Sequence, residues 1–125
     1  MAIEHIRLSQ QGKDQLIKLK RVTGIEYWNV LCRWALCVSL AETSVPPSKK
    51  IPADSNVEMS WKVFGGRYAD VYLALLKERC VRDGFGTEAD MLSQQLRLHM
   101  HRGISYLAAD KSLKKIDNLI ALAAP

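Results

Sequence analysis

Between Ile25 and Glu42 the sequence IEYWNVLCRWALCVSLAE has no broad polar face. Asn29, Arg33 and Ser39 are the only polar side chains inside its ends, and Tyr27, Trp28, Leu31, Trp34, Ala35, Leu36, Val38 and Leu40 are spread round the helix. A helix apolar on nearly every side must be buried on every side. A chain of 125 residues has little core in which to hide one. The expectation is therefore oligomerisation, with copies of the chain burying this helix through Tyr27, Trp28, Leu31, Trp34 and Val38. Aromatic side chains carry the large contact areas that such interfaces need.

The residues before it read as a strand and a basic helix. Glu4 to Leu8 alternates polar and apolar, as a half-buried strand does, with Ile6 and Leu8 facing in and His5 and Arg7 facing out. Ser9 suits the N-cap of a helix that runs to about Val22, and Gly24 suits its stop. Leu16, Leu19 and Val22 form its inner face, and Asp14 and Lys18 have the spacing of an i, i+4 pair.

Further along, Thr43–Ser55 is a loop, because Pro46, Pro47 and Pro52 forbid regular structure. Lys49-Lys50 lies between those prolines and reads as a solvated turn or, less simply, a contact. Val57, Met59, Trp61 and Val63 alternate with polar residues, which predicts a second strand ended by Gly65-Gly66. A third helix from Arg67 to Val81 has the stripe Ala69, Tyr72, Leu73, Leu76 and Cys80. A fourth is capped by Thr87 and ends near Gly103, and a last one, Ser112–Ala123, buries Leu113, Ile116 and Ile120. The reading is one domain over residues 1–125, mainly α with one or two short β-strands: a ribbon-helix-helix-like start, then three further helices.

The net charge of +5 is unevenly placed. Residues 1–24 hold Arg7, Lys13, Lys18, Lys20 and Arg21 against Glu4 and Asp14, a local +3. Residues 61–84 hold five cations against three carboxylates, a local +2. Oligomerising the apolar helix clusters the basic one beside it, and the combined field attracts polyanions. Lys and Arg bind phosphates without reading sequence. The predicted contact set is Arg7, Lys13, Lys18, Lys20 and Arg21. His5 and Arg7 alone are a thin head for reading bases. Burial is the simpler role for Trp61 and the aromatics of the apolar helix than stacking on bases.

Little else points to chemistry. There are no paired carboxylates, phosphate-binding glycine loop or metal-protease motif. His99 and His101 are two apart on a helix and point different ways, which makes a shared metal poor geometry and a surface or boundary position the expectation. Cys32, Cys37 and Cys80 fall on apolar helical positions without ligand spacing. They read as small core residues in a reducing, cytoplasmic setting rather than as sulfur carriers. No catalytic residue, metal or cofactor is predicted. No secretory leader or membrane span is expected either, since the apolar run Val30–Leu40 is interrupted by Arg33 and too short.

Two blocks, IKLKRVTGIEYWNVLCRWALCVSLAE and, after a Pro-Pro, DSNVEMSWKVFGGRYADVYLALLKERC, resemble the DndE family of the bacterial DNA phosphorothioation system. The likeness covers nearly the whole chain. It implies a small protein that works with partners replacing a non-bridging phosphate oxygen of DNA with sulfur, in systems linked to restriction and modification. The partners supply the cysteine desulfurase, the iron–sulfur sulfurtransferase and the ATPase. The resemblance also implies a homotetramer related to ribbon-helix-helix proteins that binds double-stranded DNA, with a preference for nicked duplex. The resulting expectation is a non-enzymatic DNA-binding subunit. Its rivals are a ribbon-helix-helix transcriptional regulator, a nicking endonuclease of the same pathway, and an adaptor joining the sulfurtransferase to the ATPase.

Overall fold

The structure, a computed structural model, describes Ile3 and residues 5–123. Glu4, the first residue of the predicted strand, lies outside the described residues. The first strand is β1, His5–Arg7, and the basic helix is α1, Gln10–Thr23. The Ser9 hydroxyl oxygen accepts from the Gly12 N–H at 2.9 Å, and Gly24, at φ 76°, closes the helix by donating to the Lys20 carbonyl. Both are the expected caps.

The apolar helix is α2, Trp28–Ala41. One side of it, Leu31, Cys32, Ala35, Leu36 and Ser39, is buried within the chain. The other side is not, because Trp34 and Val38 are half-buried and Tyr27, which caps the helix, is 68% exposed. Leu31 therefore belongs to the chain's own core and not to an outward contact surface, a correction to the expected set.

The second strand, β2, is only Glu58–Ser60 and pairs antiparallel with β1 in the register Ile6 to Met59. Expected alternation as far as Val63 fails because Ser60 caps a short helix, α3, Trp61–Gly65, by accepting from the Val63 N–H at 3.1 Å. Trp61 and Phe64 then face the core one turn apart, and Val63 faces out. The ribbon is thus formed within one chain, Ile6 and Met59 lying on its buried face.

A 3-10 turn, Gly66–Tyr68, leads into α4, Ala69–Arg82, with the predicted stripe packed on the core. Next comes α5, Ala89–Ala109, which begins after Glu88 in the cap position, not Thr87, and does not stop at Gly103. Gly103 is where α5 crosses α2: a Cβ there would sit 1.7 Å from the Ala35 carbonyl oxygen. Glycine permits a close approach of two backbones, and here it does so without ending the helix. The last helix, α6, is Ile116–Ala121, shorter than predicted. Leu119 is its buried anchor and Leu113 is buried in the turn before it, whereas Ile116 and Ile120 are exposed.

The axis of the core is therefore α5, which buries Leu92, Leu96, Met100, Ile104 and Leu107 against α2, α1 and α4. The basic helix α1 and the loop after α2 lie against this axis. No helix among the described residues is long and apolar enough to cross a membrane.

Candidate nucleic-acid interface

Helix periodicity divides the cations of α1 between two flanks. Lys13 and Lys20, seven residues apart, share the flank beside β2. The Lys13 ammonium donates to the Asn56 side-chain oxygen at 2.7 Å, and the Lys20 ammonium lies 3.3 Å from the centre of the Trp28 ring. Lys18 is on the opposite flank and donates to the Ala108 carbonyl at 2.7 Å, near the end of α5. Arg21 is exposed on the crest between them. Arg7 donates to the Ser55 carbonyl and pairs with Glu58 at 2.7 Å.

Three of these five cations are held by neutral partners, so they are oriented without being neutralised. Among the described residues, Arg7 alone of the five has a carboxylate partner. The expected Asp14–Lys18 pair does not form, because the open carbonyl of Ala108 takes Lys18 and Asp14 accepts from the Gln10 amide at 3.0 Å. His5 and Arg7 do face outward from β1, as expected.

Sequence reasoning undervalued the loop between α2 and β2. It passes over α5 as a strap, and the Arg97 guanidinium fixes it from beneath, donating to the Ile51 carbonyl at 2.9 Å and to the Pro52 carbonyl at 3.3 Å. Hollows of about 630 and 320 Å³ lie on either side, and Lys49 and Lys50 line both. The available signal was a dilysine bracketed by three prolines, residues that stiffen a loop.

The other chemistry-bearing side chains are engaged in structure. The Ser9 N–H donates to His101 Nε2 at 3.1 Å, and Nδ1 of the same ring is 2.8 Å from the Arg97 carbonyl. His99 Nδ1 is 2.8 Å from the Ser39 hydroxyl oxygen. Both rings are buried, not at the surface or its boundary as expected: Ser9 and Arg97 engage both nitrogens of His101, whereas His99 is bonded at Nδ1 alone and its buried Nε2 has no partner among the described residues. Burial, with Arg79 and Arg102 nearby, pushes His99 down to about 4. Burial raises the Cys32 thiol to about 12, and burial next to Asp83 raises Cys80. Neither has the low, thiolate-favouring pKa of a reactive cysteine. Cys37 is exposed, not a core residue, and lines an apolar hollow with Val30, Trp34 and Tyr72. Trp61 is buried and stacks near Phe64, with ring centres 5.2 Å apart, in keeping with a core role. Among the described residues, no three His, Cys, Asp or Glu side chains gather as a metal site.

These features define a class: a small, mainly helical protein with a two-stranded ribbon and a set of oriented surface cations along its first helix. The profile of the family described as DNA sulphur modification protein DndE matches residues 5–115, and the chain belongs to that family. Its fold is similar to the crystal structure of DndE from Escherichia coli B7A, involved in DNA phosphorothioation modification. The identity is 26% with a TM-score of 0.71, covering 86% of this chain and 98% of that one. A glycine-to-lysine mutant of DndE shares the fold at 24% identity and a TM-score of 0.66, over 86% of this chain and 98% of its own. A comparison with curated proteins returns no significant match.

Proposed function

We propose that this protein is the non-enzymatic DNA-binding subunit of a cytoplasmic DNA phosphorothioation system. It binds duplex DNA, nicked duplex preferentially, through the basic surface of a homotetramer, and presents it to the sulfurtransferase and ATPase subunits. The observation carrying this reading is that Lys13, Lys18 and Lys20 are each positioned by a neutral partner. An ammonium fixed in place with its charge intact suits a phosphate, since less freedom is lost on contact.

The tetramer reading rests on the outward side of α2. Val30, Trp34 and Cys37 line a largely apolar hollow of about 330 Å³ with Tyr72. Val71 and Leu75 on α4 are exposed apolar residues as well. A second copy covering this face removes that surface from water, and four copies carry four times the +5 of one chain. Three observations favour a binding role over catalysis. The cysteine thiols are raised, both nitrogens of His101 are bonded, and the Arg79 guanidinium is occupied by backbone carbonyls and Asp83. An operator-reading role is disfavoured because Arg7, one of two outward residues of β1, is tied to Glu58.

The test combines light scattering with gel shifts on nicked, intact and operator-like duplexes, and incubation of supercoiled plasmid with divalent metals. The reading requires a tetramer, dissociated by Trp34→Asp, that binds nicked duplex best, discriminates little by sequence and leaves plasmid uncut. A well-folded monomer at micromolar concentration, or nicking by the purified protein, overturns it.

A further inference from the structure

The strap over α5 has no helix or strand of its own, yet both its ends are fastened. Arg102 donates to the carbonyl and hydroxyl oxygens of Ser44 at its start, and Arg97 holds Ile51 and Pro52 at its end. Pro46, Pro47 and Pro52 narrow its conformations in the unbound chain as well. Lys49 and Lys50 are exposed on this rigid support, and among the described residues neither ammonium has an ion-pair or hydrogen-bond partner.

The surroundings select for an anion. Gln94 and Ser48 line the larger hollow beside Arg97; Gln11, Gln15 and Ser105 line the smaller one. These walls offer amide and hydroxyl donors. One carboxylate, Asp54, faces the smaller hollow, and it already accepts from the Gln10 N–H at 2.8 Å. On α1, Gln11, Gln15 and Lys18 have the i, i+4, i+7 spacing of one flank, so Lys18 continues the positive line one turn beyond the hollow. Its own partner, Ala108, is a neutral carbonyl.

We infer that the Lys49–Lys50 strap and the hollows beside it form a track for the sugar-phosphate backbone of duplex DNA. Lys49 and Lys50 neutralise neighbouring phosphates, Arg97 adds charge from beneath, and Lys18 extends the path along α1. This rests on the DNA-binding reading above and locates a contact on the flank of α1 opposite Lys13 and Lys20. A single inorganic phosphate would fill little of two hollows of about 630 and 320 Å³ that share the same dilysine, whereas a phosphodiester chain crosses both.

The experiment measures binding of a fluorescent nicked duplex to the full-length protein across a salt series. A double variant, Lys49→Gln with Lys50→Gln, should bind at least about tenfold more weakly, and its log K against log salt should flatten by about 1.8, two phosphates at roughly 0.9 each. The double arginine variant, Lys49→Arg with Lys50→Arg, should restore both. A control that removes equal charge from α4, Lys77→Gln with Arg82→Gln, should keep the wild-type slope. Circular dichroism checks folding, and the single glutamine variants, each flattening the slope by about half as much, serve if the double variant folds poorly. If wild type binds duplex and the glutamine variant matches it, the track is wrong and the DNA-binding reading stands. Equal loss in the α4 control means diffuse charge and also overturns the track. Displacement of duplex by inorganic phosphate at fixed ionic strength makes this a small-anion pocket, which overturns it too. Wild-type protein that binds no duplex overturns the DNA-binding reading itself, and the track with it.

Discussion

Arg79 of α4 and Arg102 of α5 both donate to the carbonyl oxygen of Ser44, at 2.7 and 2.9 Å. Arg79 also donates to the carbonyls of Leu40 and Glu42, and Arg102 to that of Ser39. The last carbonyls of a helix have no partner within it and carry its negative dipole end. Two guanidiniums from neighbouring helices close the end of α2 in this way and fasten the chain that leaves it for the strap.

Arg79→Ala should therefore cost about 3–5 kcal/mol, the range for breaking a buried pair. Its side chain is 1% exposed, and its loss strands Asp83, 2.8 Å away, together with the carbonyls of Leu40 and Glu42. Arg79→Lys should recover only part of that, because an ammonium cannot span the fork. Urea denaturation gives the cost; a variant within about 1 kcal/mol of wild type would show the bonds to be incidental.

Where a single periodicity governed an element, the sequence was legible. The apolar stripe of α4, the caps of α1 and the inward Ile6 and Leu8 all follow from local rules. Three features were not local. Arg79 counts as surface charge until its carbonyl partners, dozens of residues away, are in place. Gly103 reads as a stop signal until α2 is laid across it. The β2 alternation runs on through Trp61 to Val63, but Trp61 is buried as the first residue of a helix and not as part of a strand, and Val63 is exposed. At the candidate interface the α1 cations were visible as charge. Their division between two flanks, and their neutral partners, depend on Asn56, Trp28 and Ala108 arriving from elsewhere.

Gly103→Ala should be among the most damaging single changes in the chain. The new methyl would meet the Ala35 carbonyl oxygen and carbon, at 1.7 and 2.4 Å, and both belong to backbone that cannot rotate away. The helices must separate, at a cost of about 3 kcal/mol or more. Gly24→Ala is the comparison: nothing lies within 4 Å of its Cβ, and the cost is the strain of φ +76° alone, on the order of 1 kcal/mol. Thermal melts of the two variants should rank Gly103→Ala well below Gly24→Ala; the reverse order would mean that the α2–α5 crossing tolerates expansion.

Stability should fall as pH drops from 6.5 to about 4. Ser39 on α2, Arg79 and Asp83 on α4, and Arg102 on α5 surround His99, whose pKa in the folded chain is pushed down to about 4 from the ordinary 6.5. The unfolded chain thus binds a proton that the folded chain refuses. The stabilisation is present in full above pH 6.5 and lost progressively toward pH 4, a total of roughly 3 kcal/mol for this ring. His101 is lowered by burial as well and adds loss of the same sign, since a proton on Nε2 would break its bond from the Ser9 N–H. Urea midpoints at several pH values measure the slope. His99→Gln should flatten it; an unchanged slope would place the titrating group elsewhere.

Changing Lys13, Lys20 and Arg21 to Ala together should remove most DNA binding while leaving the fold intact. None of the three is buried. The bonds lost are an exposed one to Asn56 and the contact of Lys20 with the Trp28 ring, worth at most about 1 kcal/mol. Single changes should give graded losses, because each phosphate contact adds a modest, screened increment. Lys20→Ala should weaken binding more than Arg21→Ala, since Trp28 holds the Lys20 ammonium in place and Arg21 must be ordered on contact. Lys18→Ala should act through the other flank, so its effect should add to that of Lys13→Ala without coupling. The measurements are gel shifts on nicked duplex, with circular dichroism and light scattering as controls for fold and assembly. A triple variant that folds, assembles and binds like wild type would remove this flank from the interface and leave the Lys49–Lys50 strap and the Lys62–Arg67 segment to account for the affinity.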